Sequence, residues 1–302
     1  MRRCLLFFLF VLLLGTMTAV TLRGSYLMIT SKQIEAFGKY LYREEKSAAT
    51  REKYMRDVRA FCKYADGNEI TKELVAGWKQ QLVEQGYAVS SVNSMLASIN
   101  SLLAFLDIAL CRVKNLRTQR RTYCPEDQEL TKAEYFRLLE ASRKNERLNL
   151  VLQTICATGI RVSELRYFTV EAVSRGEVKV ACKNKTRTIL VPGKLKKILK
   201  SYAQKRAITT GAIFVTGTGK NLDRSNIWSA MKKLCAVAGV KPSKVFPHNL
   251  RKLFARTFYG IEKDIAKLAD ILGHGSIETT RIYIMSTGNE HRRKIERLGL
   301  MI

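Results

Sequence analysis

Arg161, Lys183, His248, Arg251, His274 and Tyr283 are the residues of this chain whose types and spacing suit chemistry on a phosphate ester. His248 and Arg251 are three apart, so on a helix they share a face. Arg161 lies in Ala157-Thr158-Gly159-Ile160-Arg161-Val162-Ser163-Glu164-Leu165, where Gly159 is expected to end or bend a helix. His274 sits between Gly273 and Gly275, where backbone can approach a ligand closely. Lys183 opens the Lys183-Asn184-Lys185 turn between two alternating segments. A guanidinium offers a fork matched to phosphate oxygens. A tyrosine hydroxyl, with a pKa near ~10, attacks only with help from neighbours. No cluster of Asp and Glu stands ready to hold a pair of metal ions, so protein cations would have to do that work.

Each residue alone has an ordinary reading. Arg251 could be one more contact to a polyanion, and His248 a capping or core histidine. Tyr283, between Ile282 and Ile284, could be core. The order and company of the six residues separate them from that background.

The elements that must position them are mainly helical. Ile34, Phe37, Tyr40 and Leu41 fall on one face, as do Tyr54, Val58 and Phe61. Val92, Met95, Leu96, Ile99, Leu102, Leu103 and Leu106 repeat at helical spacing. With breaks expected at Gly67, Gly77 and Gly86, residues 31–110 predict a bundle of about four helices. Five of the ten residues 112–121 are cationic: Arg112, Lys114, Arg117, Arg120 and Arg121. This stretch reads as an interdomain linker able to lie along phosphates, although a plainly solvated linker fits the composition equally.

A second domain opens at Thr131, whose spacing to Glu134 is that of a capping box. Helices are expected through Leu139 and from Leu148 to Ile155. Residues 177–191 alternate as a hairpin, with Val178, Val180 and Cys182 on one face and a second strand through Thr188 and Leu190. Helices resume at 193, interrupted by Ile213-Phe214-Val215. Gly217-Thr218-Gly219-Lys220-Asn221 lacks the upstream Gly and the Ser or Thr after Lys of a phosphate loop, and reads as a turn. Thr287 to Glu290 is a second capping box, opening a last helix with Ile295 and Leu298 apolar.

The formal net charge is +27, from 53 Lys and Arg against 26 Asp and Glu. Residues 1–27 supply only Arg2, Arg3 and Arg23 of this, so the body of the chain is basic and suits a polyanionic partner. The seven cysteines lack the close pairing of a zinc site and read as reduced thiols of a cytosolic protein. Residues 4–22 are uncharged and largely apolar after Arg2 and Arg3, the pattern of a signal peptide or membrane helix. The soluble pattern after Met28 points instead to a true start at Met28, with a membrane anchor through 4–22 as the alternative.

Taken together, these patches resemble the tyrosine recombinase (phage integrase) family, whose members include the Xer recombinases. The resemblance rests on Thr-Gly-x-Arg-x-Ser-Glu-Leu at 158–165, a Lys in a hairpin turn, His-x-x-Arg at 248–251, Leu-Gly-His at 272–274, and Tyr283 nine residues beyond His274. It runs from about residue 31 to the C-terminus. It implies a mainly α fold: a helical, SAM-like core-binding domain followed by a mainly helical catalytic domain with a small β-sheet. The corresponding division is a leader at 1–27, a DNA-binding domain at 28–111, a linker at 112–128 and a catalytic domain at 129–302.

The resemblance implies roles as well. Tyr283 would be the nucleophile that forms a 3′-phosphotyrosyl bond. Arg161 and Arg251 would bind the scissile phosphate, with a further hydrogen bond from His274. His248 would assist proton transfer, Lys183 would protonate the leaving 5′-oxygen, and Glu164 would orient the site. The turn here is one residue shorter than the Lys-Gly-Asn-Lys of many relatives, which leaves the acid between Lys183 and Lys185, with Lys183 preferred. No metal or other cofactor is implied. Double-stranded DNA would be the partner, held by a homotetramer on two sites, the C-terminal tail packing on a neighbouring subunit. Accessory DNA-bending proteins and a cytoplasmic location fit the same picture, as does a role in a mobile element. A type IB topoisomerase, or a DNA-binding protein without activity, is the alternative.

Overall fold

The computed structural model describes residues 28–119, 122–182 and 185–300. The expectations for residues 1–27, for Arg120 and Arg121, and for the Lys183-Asn184 turn lie outside the described residues. The fold is mainly helical with a two-stranded sheet, and it divides at residues 120/121 into two compact units. Among the described residues no helix is long and apolar enough to cross a membrane.

The first unit is built from α1 (Ser31–Arg43), α2 (Ala48–Ala65), α3 (Lys72–Glu84) and α4 (Val89–Phe105). Thr30, Ser47 and Thr71 each accept a hydrogen bond from a first-turn amide, satisfying donors that a helix N-terminus leaves open. Phe37, Leu41, Val58, Phe61, Leu96, Ile99 and Leu102 are fully buried, each burial contributing on the order of 1.5–3 kcal/mol. Gly67 and Gly86 end helices with left-handed backbone, as expected. Gly77 does not: it lies inside α3, where a Cβ would sit 2.8 Å from the Tyr64 hydroxyl, so close packing rather than a break accounts for it.

The basic segment begins as part of this unit. The Asn100 side chain receives Val113 N and donates to Val113 O, and Asn93 does the same for Leu116. Val113 is buried in the bundle core, while Arg112, Lys114 and Arg117 are exposed. Two asparagines on α4 thus pin a segment without regular secondary structure that reads from composition as linker.

The second unit runs through α5 (Lys132–Ala141), α6 (Glu146–Thr158), a 3-10 turn (Val162–Tyr167), α7 (Val170–Arg175), β1 (Glu177–Cys182) and β2 (Lys185–Leu190). It continues with α8 (Gly193–Lys205), α9 (Arg224–Ala238), α10 (Pro247–Glu262), α11 (Ile265–Leu272), α12 (Ile277–Ile284) and α13 (Gly288–Glu296). Both capping boxes, Thr131/Glu134 and Thr287/Glu290, form. The hairpin is antiparallel, with Cys182 opposite Lys185, so Lys185 is the first strand residue rather than part of the turn. Its register pairs Val178 with Ile189 and Val180 with Arg187. Ile189 is therefore buried and its neighbour on that face, Arg187, is partly buried, while Leu190 is 71% exposed.

Candidate active site

Arg161 emerges from a forced reversal. α6 ends at Gly159 (φ +64°), and a Cβ there would meet the Phe254 ring at 2.3 Å, so only glycine fits. Ile160 then turns into the core and Arg161 starts the 3-10 turn in extended backbone. Glu164, 3% exposed, accepts from the Arg161 amide at 2.7 Å and from Arg161 Nη1 at 3.1 Å. The same carboxylate accepts from Arg187 Nη1 at 3.1 Å and Nη2 at 2.6 Å.

α10 begins with Pro247 in its first turn, which places His248 and Arg251 together on its opening face. Arg251 is 1% exposed. It donates to the carbonyls of Gly159 and Leu272, the latter at 2.6 Å. Those carbonyls close α6 and α11, where the helix dipoles favour a cation. Burial first, then the like charge of Arg161, pull its pKa down to about 10, which leaves it charged at neutral pH.

α11 ends at Gly273 (φ +64°), and the turn presents His274. Its Nε2 lies 2.9 Å from Arg251 Nη2 and its Nδ1 2.9 Å from Thr280 Oγ1. α12 carries Tyr283, 7% exposed, into a small separate core with Ala255, Leu268 and Leu272. The tyrosine ring lies 4.9 Å from that of His248 and 4.8 Å from that of His274, and its hydroxyl is 3.5 Å from His248 Nδ1. Burial and the surrounding cations push both histidines down to about 4, with Lys252 and Arg251 acting most strongly among the charges on His248, and Arg251 and Arg161 on His274. Both are neutral at pH 7, and His248 has a lone pair to receive a proton.

The fold thus brings Arg161, Glu164, His248, Arg251, His274 and Tyr283 into one cluster, while Lys183 lies outside the described residues. Beside them opens a cleft of about 320 Å³ lined by Arg161, Ser163, Arg224, Trp228, His248 and Arg251. Sequence reasoning missed Arg187, Arg224, Trp228 and Thr280. Arg187 had a signal, a charge at the strand position that shares a face with Ile189; the other three had none. Glu164 accepts from Arg161 and Arg187, while Arg251 beside them is held by backbone carbonyls, so three guanidiniums gather around one carboxylate among the described residues. The cluster is cationic and suits an anion. No group of three or more metal-ligating side chains occurs among the described residues.

A profile of the phage integrase family matches residues 128–290, and one of the phage integrase N-terminal SAM-like domain matches 34–107. The chain belongs to the phage integrase family. Its members are site-specific DNA recombinases, and this recombinase is 28% identical to tyrosine recombinase XerA of Pyrococcus furiosus, over 90% of this chain and 96% of the relative. It is 30% identical to tyrosine recombinase XerC of Roseiflexus castenholzii, over 84% of this chain and 88% of the relative. A solved lambda integrase tetramer bound to a Holliday junction shares the fold, with a TM-score of 0.72 and 16% identity over 90% of this chain and 81% of the other. The mainly α fold with a SAM-like first domain and an integrase second domain, expected from the motifs, is the fold observed.

Proposed function

We propose that this recombinase cuts and rejoins duplex DNA through a 3′-phosphotyrosyl bond at Tyr283. The observation that carries the reading is the placement of the Tyr283 hydroxyl beside neutral His248, next to a cluster of three guanidiniums and one carboxylate. Arg161 and Arg251 bind the non-bridging oxygens of the scissile phosphate. His248 takes the tyrosine proton as the hydroxyl attacks phosphorus, and the leaving 5′-oxygen receives a proton from Lys183. Charge that builds on phosphorus meets guanidiniums already fixed by carbonyls and a carboxylate, so little reorganisation is needed. The bond energy of the broken linkage is kept in the phosphotyrosine, and reversal reseals the strand without an energy source.

Four copies on two sites would exchange strands in turn, in the cytoplasm, where the DNA is. Arg112, Lys114 and Arg117 form an exposed cationic segment suited to phosphates. Ile295, Leu298 and Leu300 leave an apolar edge on and beyond α13 that suits a neighbouring subunit.

The test uses nicked duplexes spanning the DNA that flanks the gene, incubated with the chain started at Met28 and with its Tyr283→Phe variant, without added metal. A covalent protein–DNA band on a denaturing gel for the parent alone supports the reading. Tight binding with no band from either protein would overturn it in favour of a DNA-binding protein without activity.

A further inference from the structure

Arg187 occupies a position in β2 that an apolar residue would ordinarily fill. It is paired across the hairpin with Val180, which is 1% exposed, and it alternates with Ile189, which is 5% exposed. A guanidinium on that face needs an anionic partner, and Glu164 takes both of its terminal nitrogens, at 3.1 and 2.6 Å. Glu164 is also the carboxylate that holds the amide and Nη1 of Arg161. Arg187 further packs beneath the turn before His274: a Cβ on Gly273 would lie 2.6 Å from Arg187 Nη1 and 2.8 Å from its Cδ. The carbonyl of that same Gly273 accepts from Arg161 Nη2 at 3.1 Å.

One side chain therefore touches the supports of two segments that act on the phosphate. We propose that Arg187 is a positioning residue for strand cleavage, holding Glu164 so that the carboxylate orients Arg161 without neutralising it and propping the turn that presents His274. The proposal rests on the phosphotyrosine reading above.

The physical argument is a competition for one carboxylate. With two guanidiniums on Glu164, the group as a whole stays positive, and Arg161, 37% exposed at its side chain, keeps charge to offer a phosphate. Without Arg187, Glu164 and Arg161 become a closed neutral pair, and Arg161 is drawn towards the carboxylate. Arg187 also adds to the positive field that keeps His274 neutral.

The competition has a signature that simple loss of packing lacks. Arg187→Gln should slow covalent-complex formation on a nicked flanking duplex by roughly 100-fold, the cost of a misplacement of about 1 Å. Adding Glu164→Gln to it removes the neutralising carboxylate and should recover at least about tenfold of that loss. Arg187→Lys, which keeps the charge but not the fork, should fall between parent and Arg187→Gln. Affinity for uncleaved duplex should stay within about threefold throughout. A double variant no faster than Arg187→Gln, with both folded by circular dichroism, overturns the proposal. So does Arg187→Lys at the parent rate, the arm that decides if Arg187→Gln does not fold. A parent that forms no covalent complex indicts the phosphotyrosine reading instead. The proposal then stands or falls on the His274 ring resonances of the free protein, which should titrate at higher pH in Arg187→Gln than in the parent, and an unchanged titration overturns it.

Discussion

Arg251 Nη2 and His274 Nε2 lie 2.9 Å apart, and because a guanidinium only donates, the imidazole nitrogen must accept. The proton of neutral His274 is therefore on Nδ1, where it is donated to Thr280 Oγ1 at 2.9 Å. The first prediction is spectroscopic: ¹⁵N shifts of the free protein at pH 7 should show His274 as the Nδ1-protonated tautomer. Since a phosphate oxygen needs a donor, binding of inorganic vanadate or cleavable DNA should move the proton to Nε2. Protonation at Nε2 in the free protein would sink the assignment.

Tyr283→Phe should separate chemistry from folding. Among the described residues the hydroxyl makes one long hydrogen-bond contact, 3.5 Å to His248, so its loss should cost less than about 1 kcal/mol in urea unfolding. Covalent capture of DNA should fall below detection while binding by gel shift persists. A large loss of stability would mean that the ring, not the hydroxyl, is what the site needs.

Glu164→Ala should be among the most damaging substitutions to the fold. It leaves Arg187, 14% exposed at its side chain, without its anionic partner, and breaking such a buried pair costs roughly 3–5 kcal/mol. Chemical denaturation measures this directly, and a change under 1 kcal/mol would show that water replaces the carboxylate.

Acid should weaken the free protein earlier than carboxylate titration alone would. His248 and His274 have folded pKa values near 4, below the ordinary value of about 6.5. Between those values the unfolded chain binds protons that the native one does not, so stability falls as pH drops from about 6.5 towards 4 and is regained in full above. Thermal midpoints across that window should slope upward with pH, and His248→Asn should flatten part of the slope. On the same grounds the acid limb of kcat/KM, which reports the free enzyme, should lie well below pH 6.

The helices and the site motifs were legible because their signals are local. Capping boxes at Thr131 and Thr287, left-handed glycines at 159 and 273, and the His248–Arg251 spacing each act within one turn of chain. What the sequence hid depends on distant partners. Gly77 reads as a break until Tyr64 is seen lying against it. Asn93 and Asn100 look like polar helix-surface residues, yet they hydrogen-bond the backbone of a segment up to 23 residues away. Arg187 was passed over because a charged residue on a short strand is usually solvated, and only the register with Val180 turns it inward. Arg224 and Trp228 line the cleft from α9, a helix that carries none of the motif residues.

Arg251 is fastened by the backbone ends of two helices and not by a carboxylate, so its charge is anchored without being cancelled. The fold therefore carries an electrostatic self-repulsion that any bound anion relieves. By mass action, sulfate, phosphate or DNA should raise the melting temperature in proportion to how well each fits among Arg161, Arg251 and His274. Heat resistance then reports site occupancy, and the salts that best preserve the free protein are those that compete best with its substrate.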